Sequence, residues 1–185
     1  DYYSPDAWPI IQAAVQAAID HGTSYDLESP FITAKGRHLW VRVQGFAVME
    51  NGKVTKLRGT LQDITARKQA ESALRASEEK FARAFRSSTQ ALCISTLDDG
   101  KLIDVNDSYT RILGFSRDEA IGHTTSELGI WAHPADRTRL VDILSEAGFV
   151  RNVELELRNK TGDALTMVVS LELLDIEGAG YVLSS

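Results

Sequence analysis

The side chains that most often perform catalysis or bind metals are few and scattered in this sequence. The four histidines are His21, His38, His123 and His133, and the single cysteine is Cys93. His123 and His133 lie ten positions apart, which is not the spacing of a metal-binding pair on one helix. We find no glycine-rich phosphate loop after a predicted strand and no nucleophile paired with a base. The residues therefore predict no catalytic site, no metal site and no enzyme activity.

Composition narrows the class of protein further. One cysteine excludes an intrachain disulfide and fits a reducing compartment, so we expect a cytoplasmic location. The sequence has no run of eighteen apolar residues and no secretory signal, so we expect no membrane span in this chain, although the parent protein could be anchored elsewhere. Residues 91–185 carry eight basic and sixteen acidic side chains, a net charge of −8. That acidic surface disfavours nucleic acid as a partner.

A segment near the start of the chain returns in altered form near its end. Residues 29–41 align with residues 155–167, 126 positions later. Each copy reads as a strand, a glycine turn and a second strand, and each follows an amphipathic helix. A repeat this long predicts two related domains rather than a solenoid. Short turns make the strands antiparallel, in the order helix, strand, strand, strand.

The second copy has additional elements before its helix. Residues 91–97 and 102–105 are strand-like and flank an Asp98-Asp99-Gly100 turn. Asn106 is placed to cap a short helix that ends at Gly114. Ser116 and Glu119 have the spacing of a capping box for another helix.

The segment between the copies is predicted to be one continuous helix. Residues 65–88 contain no Gly and no Pro and are rich in Ala, Arg, Glu and Lys. Leu74 and Phe81 lie seven positions apart, with Ala84 and Phe85 nearby, which is the pattern of a short coiled-coil seam. Two interpretations stay open with equal weight: parallel pairing with a second copy in a homodimer, or packing on the helix's own domain.

Several phrases, in this order, resemble the PAS sensor family. They are Asp63-Ile64-Thr65, Asp98-Asp99-Gly100, Ile103-Asp104-Val105-Asn106, Gly114-Phe115-Ser116-Arg117-Asp118-Glu119 and His133-Pro134-Ala135-Asp136-Arg137. The resemblance implies an α+β fold with an antiparallel five-stranded sheet and flanking helices. It divides the chain into the second half of a truncated first PAS-like domain (1–63), a connecting signalling helix (64–88) and a second PAS-like domain (89–185).

The resemblance also indicates where a ligand would bind. In the family, ligands lie between the sheet and the middle helices, and the side chains here that match are Tyr109, Trp131, Met167 and Tyr181. Aromatic and Met side chains suit an apolar pocket, although they also serve as ordinary core. The cofactor stays unknown. Photoactive flavin members use a Cys on a middle helix, whereas Cys93 lies in the first strand, so covalent flavin chemistry is excluded. Haem is disfavoured because the late helix after Asp136 has no histidine.

The phrase around Asp63 is the predicted signal relay. Asp63 ends a strand, and it can reach Arg67 or accept from backbone amides at the start of the connecting helix. Ile64 is the apolar plug where strand meets helix, and Thr65 begins the helix. A capped helix start with no signalling role is the alternative.

These features predict a regulatory protein rather than an enzyme. We expect a sensing and relay module of a multidomain bacterial two-component or related system, which acts on an effector outside this chain. The resemblance points to a histidine kinase or a cyclic-dinucleotide enzyme as that effector. A ligand-free dimerisation or spacer scaffold is the alternative, and an enzyme ranks third.

Overall fold

The computed structural model describes residues 3–4, 6–176 and 178–185. They form two compact units whose boundary in the sequence lies between Glu78 and Glu79. The helices and strands, in chain order, are α1 (Trp8–His21), β1 (Tyr25–Ile32), β2 (His38–Glu50), β3 (Lys53–Asp63), α2 (Thr65–Ser87), β4 (Cys93–Thr96), β5 (Leu102–Val105), α3 (Asp107–Leu113), α4 (Arg117–Ala120), α5 (Pro134–Ala147), β6 (Phe149–Arg158), β7 (Ala164–Ile176) and β8 (Ala179–Ser184).

In the first unit, a helix is followed by three antiparallel strands. The strand order is β1-β2-β3. Val41 at the sheet centre is fully buried, opposite Ser29 on β1 and Asp63 on β3. The chain turns from β2 to β3 at Asn51 and Gly52, whose φ values of 51° and 77° suit a tight hairpin turn. The predicted order of helix, strand, strand, strand is confirmed here.

The helix α2 runs without interruption through the segment between the repeats. It has 23 residues, Thr65–Ser87, so the prediction of one continuous helix over residues 65–88 is confirmed to within one residue. Its sequence consists largely of strong helix formers, but most of its side chains are exposed and Phe85 is the buried one. Because isolated helices are marginal in water, the contacts that hold α2 at its ends matter for its stability.

The second unit is an antiparallel five-stranded sheet with helices packed on it. The strand order is β5-β4-β8-β7-β6, which confirms the predicted α+β fold. Leu155 and Leu157 on β6 are buried, whereas Glu154 and Glu156 are exposed, so one face of the sheet faces the core. Leu140 and Leu144 of α5 are buried in the same hydrophobic cluster.

The two predicted helix caps in this unit are both present. The Asn106 side chain accepts from the backbone N–H of Tyr109 at the start of α3. Ser116 and Glu119 form a reciprocal capping box on α4. Gly114 ends α3 with a left-handed φ of 80°, a conformation that glycine adopts without strain.

Candidate ligand cavity and the contacts of the connecting helix

The second unit contains a cavity of about 110 Å³ between its sheet and its helices. Most of its wall is aliphatic. The helices α3 and α5 and the strands β6 and β7 contribute Leu113, Leu140, Val141, Leu144, Leu157, Val169 and Leu171. A mainly apolar wall with a few polar groups is typical of a small-molecule site.

Three of the four predicted pocket residues line this cavity. Tyr109, Trp131 and Met167 lie in its wall, and Tyr181 does not. On β8 the cavity is lined by Val182 and Ser184, and successive side chains of a strand point to opposite faces. Tyr181 therefore lies on the other face of the sheet, and its assignment to the pocket is wrong.

One end of the cavity carries buried groups that stay uncharged. Cys93 is 8% exposed, and burial raises the pKa of its thiol from 9.0 to about 11, partly offset by a hydrogen bond with Ser184. Tyr109 is 3% exposed, and burial, with a smaller contribution from Cys93, raises the pKa of its phenol. Both side chains are therefore protonated at neutral pH.

The Tyr109 hydroxyl has no hydrogen-bond partner. Within the part of the chain that the structure describes, it is the one buried side-chain nitrogen or oxygen of which this is true. Buried polar groups are almost always paired, because an unpaired one loses its hydration without compensation. A side chain of the cavity wall thus carries a buried hydroxyl whose hydrogen-bonding capacity is unused.

The other end of the cavity is built around the turn between β4 and β5. The indole N–H of Trp131 donates to Thr125 Oγ1 at 3.0 Å. The Arg137 guanidinium donates to the Asp98 carbonyl at 3.2 Å and lies against Gly100, where an added Cβ would be 3.0 Å from Arg137 Nη2. A side chain at position 100 would therefore displace Arg137.

Asn106 links α3, which lines the cavity, to the end of α2. The sequence predicted Asn106 only as a helix cap and did not predict this link. Its Oδ1 accepts from the backbone N–H groups of Leu92 (2.9 Å) and Tyr109 (2.8 Å). Its Nδ2 donates to the carbonyls of Phe85 (3.0 Å) and Gln90 (2.9 Å). Asn106 is 1% exposed, so these bonds are made away from water.

Ser108 makes a further hydrogen bond between α3 and the residues that follow α2. Ser108 Oγ, next to Tyr109 on α3, donates to the carbonyl of Ser88 at 2.6 Å. The Arg111 side chain in turn donates to Ser108 Oγ at 2.7 Å. The last turn of α2 and the residues after it are thus bonded to the helix that carries Tyr109.

The predicted relay residues hold the start of α2 to the first sheet. Asp63 Oδ1 accepts from the backbone N–H of Thr65 at 2.9 Å, and hydrogen bonds with Thr65 lower the pKa of Asp63. Thr65 Oγ1 accepts from the backbone N–H of Trp40 at 2.9 Å, and the Ile64 N–H donates to the Trp40 carbonyl at 2.8 Å. Ile64 is 6% exposed, so its side chain is a buried plug at the strand–helix junction.

Arg67 does not pair with Asp63, the partner that the sequence suggested. It pairs with Glu28 on β1 at 2.5 Å and with Glu71 on α2 at 2.8 Å. Lys68 also pairs with Glu28, at 2.8 Å, and its ammonium lies 5.1 Å from the centre of the Trp40 ring. Of the two roles expected for Asp63, the structure forms the bond to a backbone amide, and Glu28 takes the place of Asp63 as the partner of Arg67.

The residues predicted for helix pairing divide into two groups. Leu74 and Phe81 are 62% and 58% exposed, and Ala84 is exposed as well. Phe85 is 5% exposed, so it belongs to the core of the second unit and its assignment to the pairing seam is wrong. The rings of Phe81 and Phe85 stack with centroids 5.9 Å apart.

The remaining candidate groups lie away from the cavity. All four histidine side chains are exposed. Over residues 3–4, 6–176 and 178–185, no three His, Cys, Asp or Glu side chains are grouped so that they could hold a metal ion. None of the helices in the same residues combines the length and the apolar character needed to cross a membrane.

The chain is similar to several solved structures. The PAS domain of an HTR-like protein from Haloarcula marismortui is 20% identical, with a TM-score of 0.50, and the match covers 63% of this chain and 95% of that one. A domain of a sensory box sensor histidine kinase/response regulator from Geobacter sulfurreducens is 20% identical, with a TM-score of 0.49 and coverage of 60% and 95%. A sensory box histidine kinase/response regulator from Burkholderia thailandensis E264 is 32% identical, with a TM-score of 0.39, over 45% of this chain and 64% of that chain.

The search of curated proteins finds no match for the sequence, whereas two family models match it. A model described as PAS fold matches residues 1–61, and a model described as PAS domain matches residues 89–184, which is more than half of the chain. The five-stranded sheet with its flanking helices agrees with those matches, and the chain belongs to the PAS domain family.

Proposed function

We propose that this chain is the sensing and relay module of a multidomain bacterial signal-transduction protein. Membership of the PAS family supports a sensing role in signalling. The observation that carries the proposal is the apolar cavity in the second unit, with Tyr109, Trp131 and Met167 in its wall. A small molecule that enters it is the signal.

The contacts of α3 supply a route from the cavity to α2. Tyr109 lines the cavity, and its backbone N–H is bonded to Asn106. The same Asn106 side chain holds the Phe85 carbonyl in the last turn of α2. In this proposal, a ligand that shifts Tyr109 changes the hydrogen bonds that fix the end of α2, and these bonds couple the cavity to that end of the helix.

At its start, α2 is fastened to the first sheet by Asp63, Ile64 and Thr65 and by the ion pairs of Glu28 with Arg67 and Lys68. A helix that is covalently and hydrogen-bonded to a sheet transmits displacement as rotation or shift. In this proposal the output reaches an effector domain outside the chain, a histidine kinase or a cyclic-dinucleotide enzyme, and the chain itself is regulatory.

Native mass spectrometry of the purified chain tests the sensing role. We expect a bound small molecule that is retained under native conditions and released on denaturation. Addition of small apolar compounds to ligand-free protein should also shift the NMR signal of the Met167 ε-methyl group, which lines the cavity, and leave that of Met49 in the first unit unchanged. A protein that carries no molecule, with a Met167 signal that responds to none, would exclude the sensing role.

A scaffold that pairs two chains is the second candidate. The observation that favours it is the exposure of Leu74 and Phe81, seven positions apart on α2. Exposed apolar side chains at heptad spacing are typical of a helix that pairs with a partner. The two roles are compatible if dimerisation keeps two sensor units in register.

A further inference from the structure

The unpaired hydroxyl of Tyr109 indicates which kind of ligand the cavity binds. The side chain is 3% exposed and lines the cavity, and its hydroxyl is buried without a partner in the described chain. Replacing such a hydroxyl by hydrogen would remove an unpaired polar group from the core, so packing alone does not explain its presence. A bound molecule that pairs with it does.

We propose that the cavity binds a small, uncharged and mainly apolar molecule whose single oxygen acceptor receives a hydrogen bond from Tyr109. The inference rests on the proposed sensing function and specifies the class of ligand for it. A phenol is a better donor than acceptor, because its oxygen lone pair is delocalised into the ring. The ligand group that meets it is therefore a carbonyl, ether or hydroxyl oxygen.

The surroundings of Tyr109 favour an uncharged group. Burial, with a smaller contribution from Cys93, raises the pKa of Tyr109, and burial keeps Cys93 itself protonated at neutral pH. The charged side chain in the wall, Arg137, lies at the opposite end of β4, against Gly100, and it donates to the Asp98 carbonyl. Roughly 10 Å of strand separates Cys93 from Thr96 at the two ends of β4. A carboxylate beside Tyr109 would thus be buried without a counter-charge, which is strongly unfavourable.

The size of the cavity limits the ligand to about one ring. Its volume is about 110 Å³, which is less than the roughly 150 Å³ of an apolar protein cavity that accepts benzene. Cyclopentanone, with one small ring and one carbonyl, is no larger than benzene and is therefore a suitable probe. Methylenecyclopentane has nearly the same shape but a CH2 group in place of the oxygen, and cyclopropanecarboxylate is of similar size but has a carboxylate.

Titration of the full chain with these three compounds tests the inference. The ε-methyl signal of Met167 reports occupancy of the cavity, and that of Met49 reports binding elsewhere. We expect cyclopentanone to bind about fivefold more tightly than methylenecyclopentane, the effect of one neutral hydrogen bond, and cyclopropanecarboxylate to bind more weakly than either.

Tyr109→Phe should remove the preference for cyclopentanone without loss of methylenecyclopentane binding, because only the unpaired hydroxyl is deleted. Tyr181→Phe, on the other face of the sheet, should leave the preference intact. Equal affinities of the two neutral compounds, or a preference that survives in Tyr109→Phe, would overturn the role of Tyr109 but leave sensing in place. Tighter binding of cyclopropanecarboxylate would overturn the uncharged class. Failure of all three compounds to move Met167 would contradict the sensing function as well.

Discussion

Cys93 shows how burial sets chemistry at the scale of one residue. A free cysteine can be a nucleophile or a metal ligand, but only as a thiolate. Burial raises the pKa of this thiol to about 11, so at neutral pH it behaves as a small apolar side chain in the cavity wall. Its position in the first strand of the second unit thus determines both its lack of reactivity and its role beside Tyr109.

The first prediction concerns the alkaline stability of the second unit. Between about pH 9 and 11 the Cys93 thiol loses its proton in the unfolded chain but keeps it in the folded one. A raised folded-state pKa means that stability is present below pH 9.0 and is lost as pH rises toward 11. We therefore expect the urea midpoint of the Met167 signal to fall over this range. In Cys93→Ala the fall should be smaller, and an unchanged slope in that variant would contradict the argument.

At the scale of elements, Asn106 determines how α2 and α3 are joined. The sequence predicts it as a cap, since an Asn directly before a helix has a local signature. Its bonds to Phe85 and Gln90 could not be predicted, because those partners lie 21 and 16 positions away. Long-range contacts of this kind follow from the fold and not from a local pattern.

The second prediction concerns the bonds from Asn106 to Phe85 and Gln90, as distinct from its role as the cap of α3. Asn106→Asp keeps an acceptor for the N–H groups of Leu92 and Tyr109 but removes both donors and buries a carboxylate beside two carbonyls. We expect the free energy of unfolding of the second unit to fall by about 3 kcal/mol. Ser116→Ala, which removes the cap of α4 only, should cost about 1 kcal/mol. Urea unfolding followed at Met167 measures both, and equal losses would mean that the bonds to α2 contribute little.

The spacing of the apolar residues on α2 does not determine what each of them packs against. Phe81 and Phe85 lie one turn apart, and the helical pattern does not distinguish a partner helix from the helix's own domain. The structure buries Phe85 and leaves Phe81 58% exposed. Tyr181 has a similar explanation: Tyr181, Val182 and Leu183 are all apolar or aromatic, so the sequence does not show which face of β8 is the inner one.

The third prediction uses these two phenylalanines as a matched pair. Phe81→Glu should weaken dimerisation by about 1 kcal/mol or more and leave the second unit folded, because an exposed apolar side chain is lost from the helix pair. Phe85→Ala should instead lower the stability of the second unit by about 3 kcal/mol or more. Sedimentation equilibrium and urea unfolding separate the two effects. A dimer constant that Phe81→Glu leaves unchanged would remove Phe81 from any pairing surface.

At the scale of the whole molecule, both units contain carboxylates that are held by ion pairs with basic side chains. Asp26 is bonded to Arg42 in the first unit, and Glu119 to Lys160 at 2.6 Å in the second. The Arg42 hydrogen bond lowers the pKa of Asp26 from 3.8 to about 2, and the Lys160 hydrogen bond does the same for Glu119 from 4.5. The fold could be predicted well because helix signals, turns and strand alternation are local, whereas these pairings join residues far apart in sequence.

The fourth prediction is a loss of stability in acid that can be assigned to each unit. A lowered folded-state pKa means that the stabilisation is present above the unfolded values and is lost as pH falls toward about 2. Asp26→Asn should flatten this loss for the Met49 signal only, and Glu119→Gln for the Met167 signal only. Both pairs are exposed, so we expect modest effects that decrease with added salt. A loss that both variants leave unchanged would assign it to other carboxylates.

Hydrogen–deuterium exchange shows whether occupancy of the cavity alters the end of α2 through Asn106. Exchange is measured across residues 85–92 and in α3, with and without cyclopentanone at a concentration that saturates the Met167 shift. We expect slower exchange in both segments on binding, an unchanged rate in α1, and loss of the effect at residues 85–92 in Asn106→Asp. A saturated Met167 shift with unchanged exchange at residues 85–92 would mean that the cavity does not act on α2.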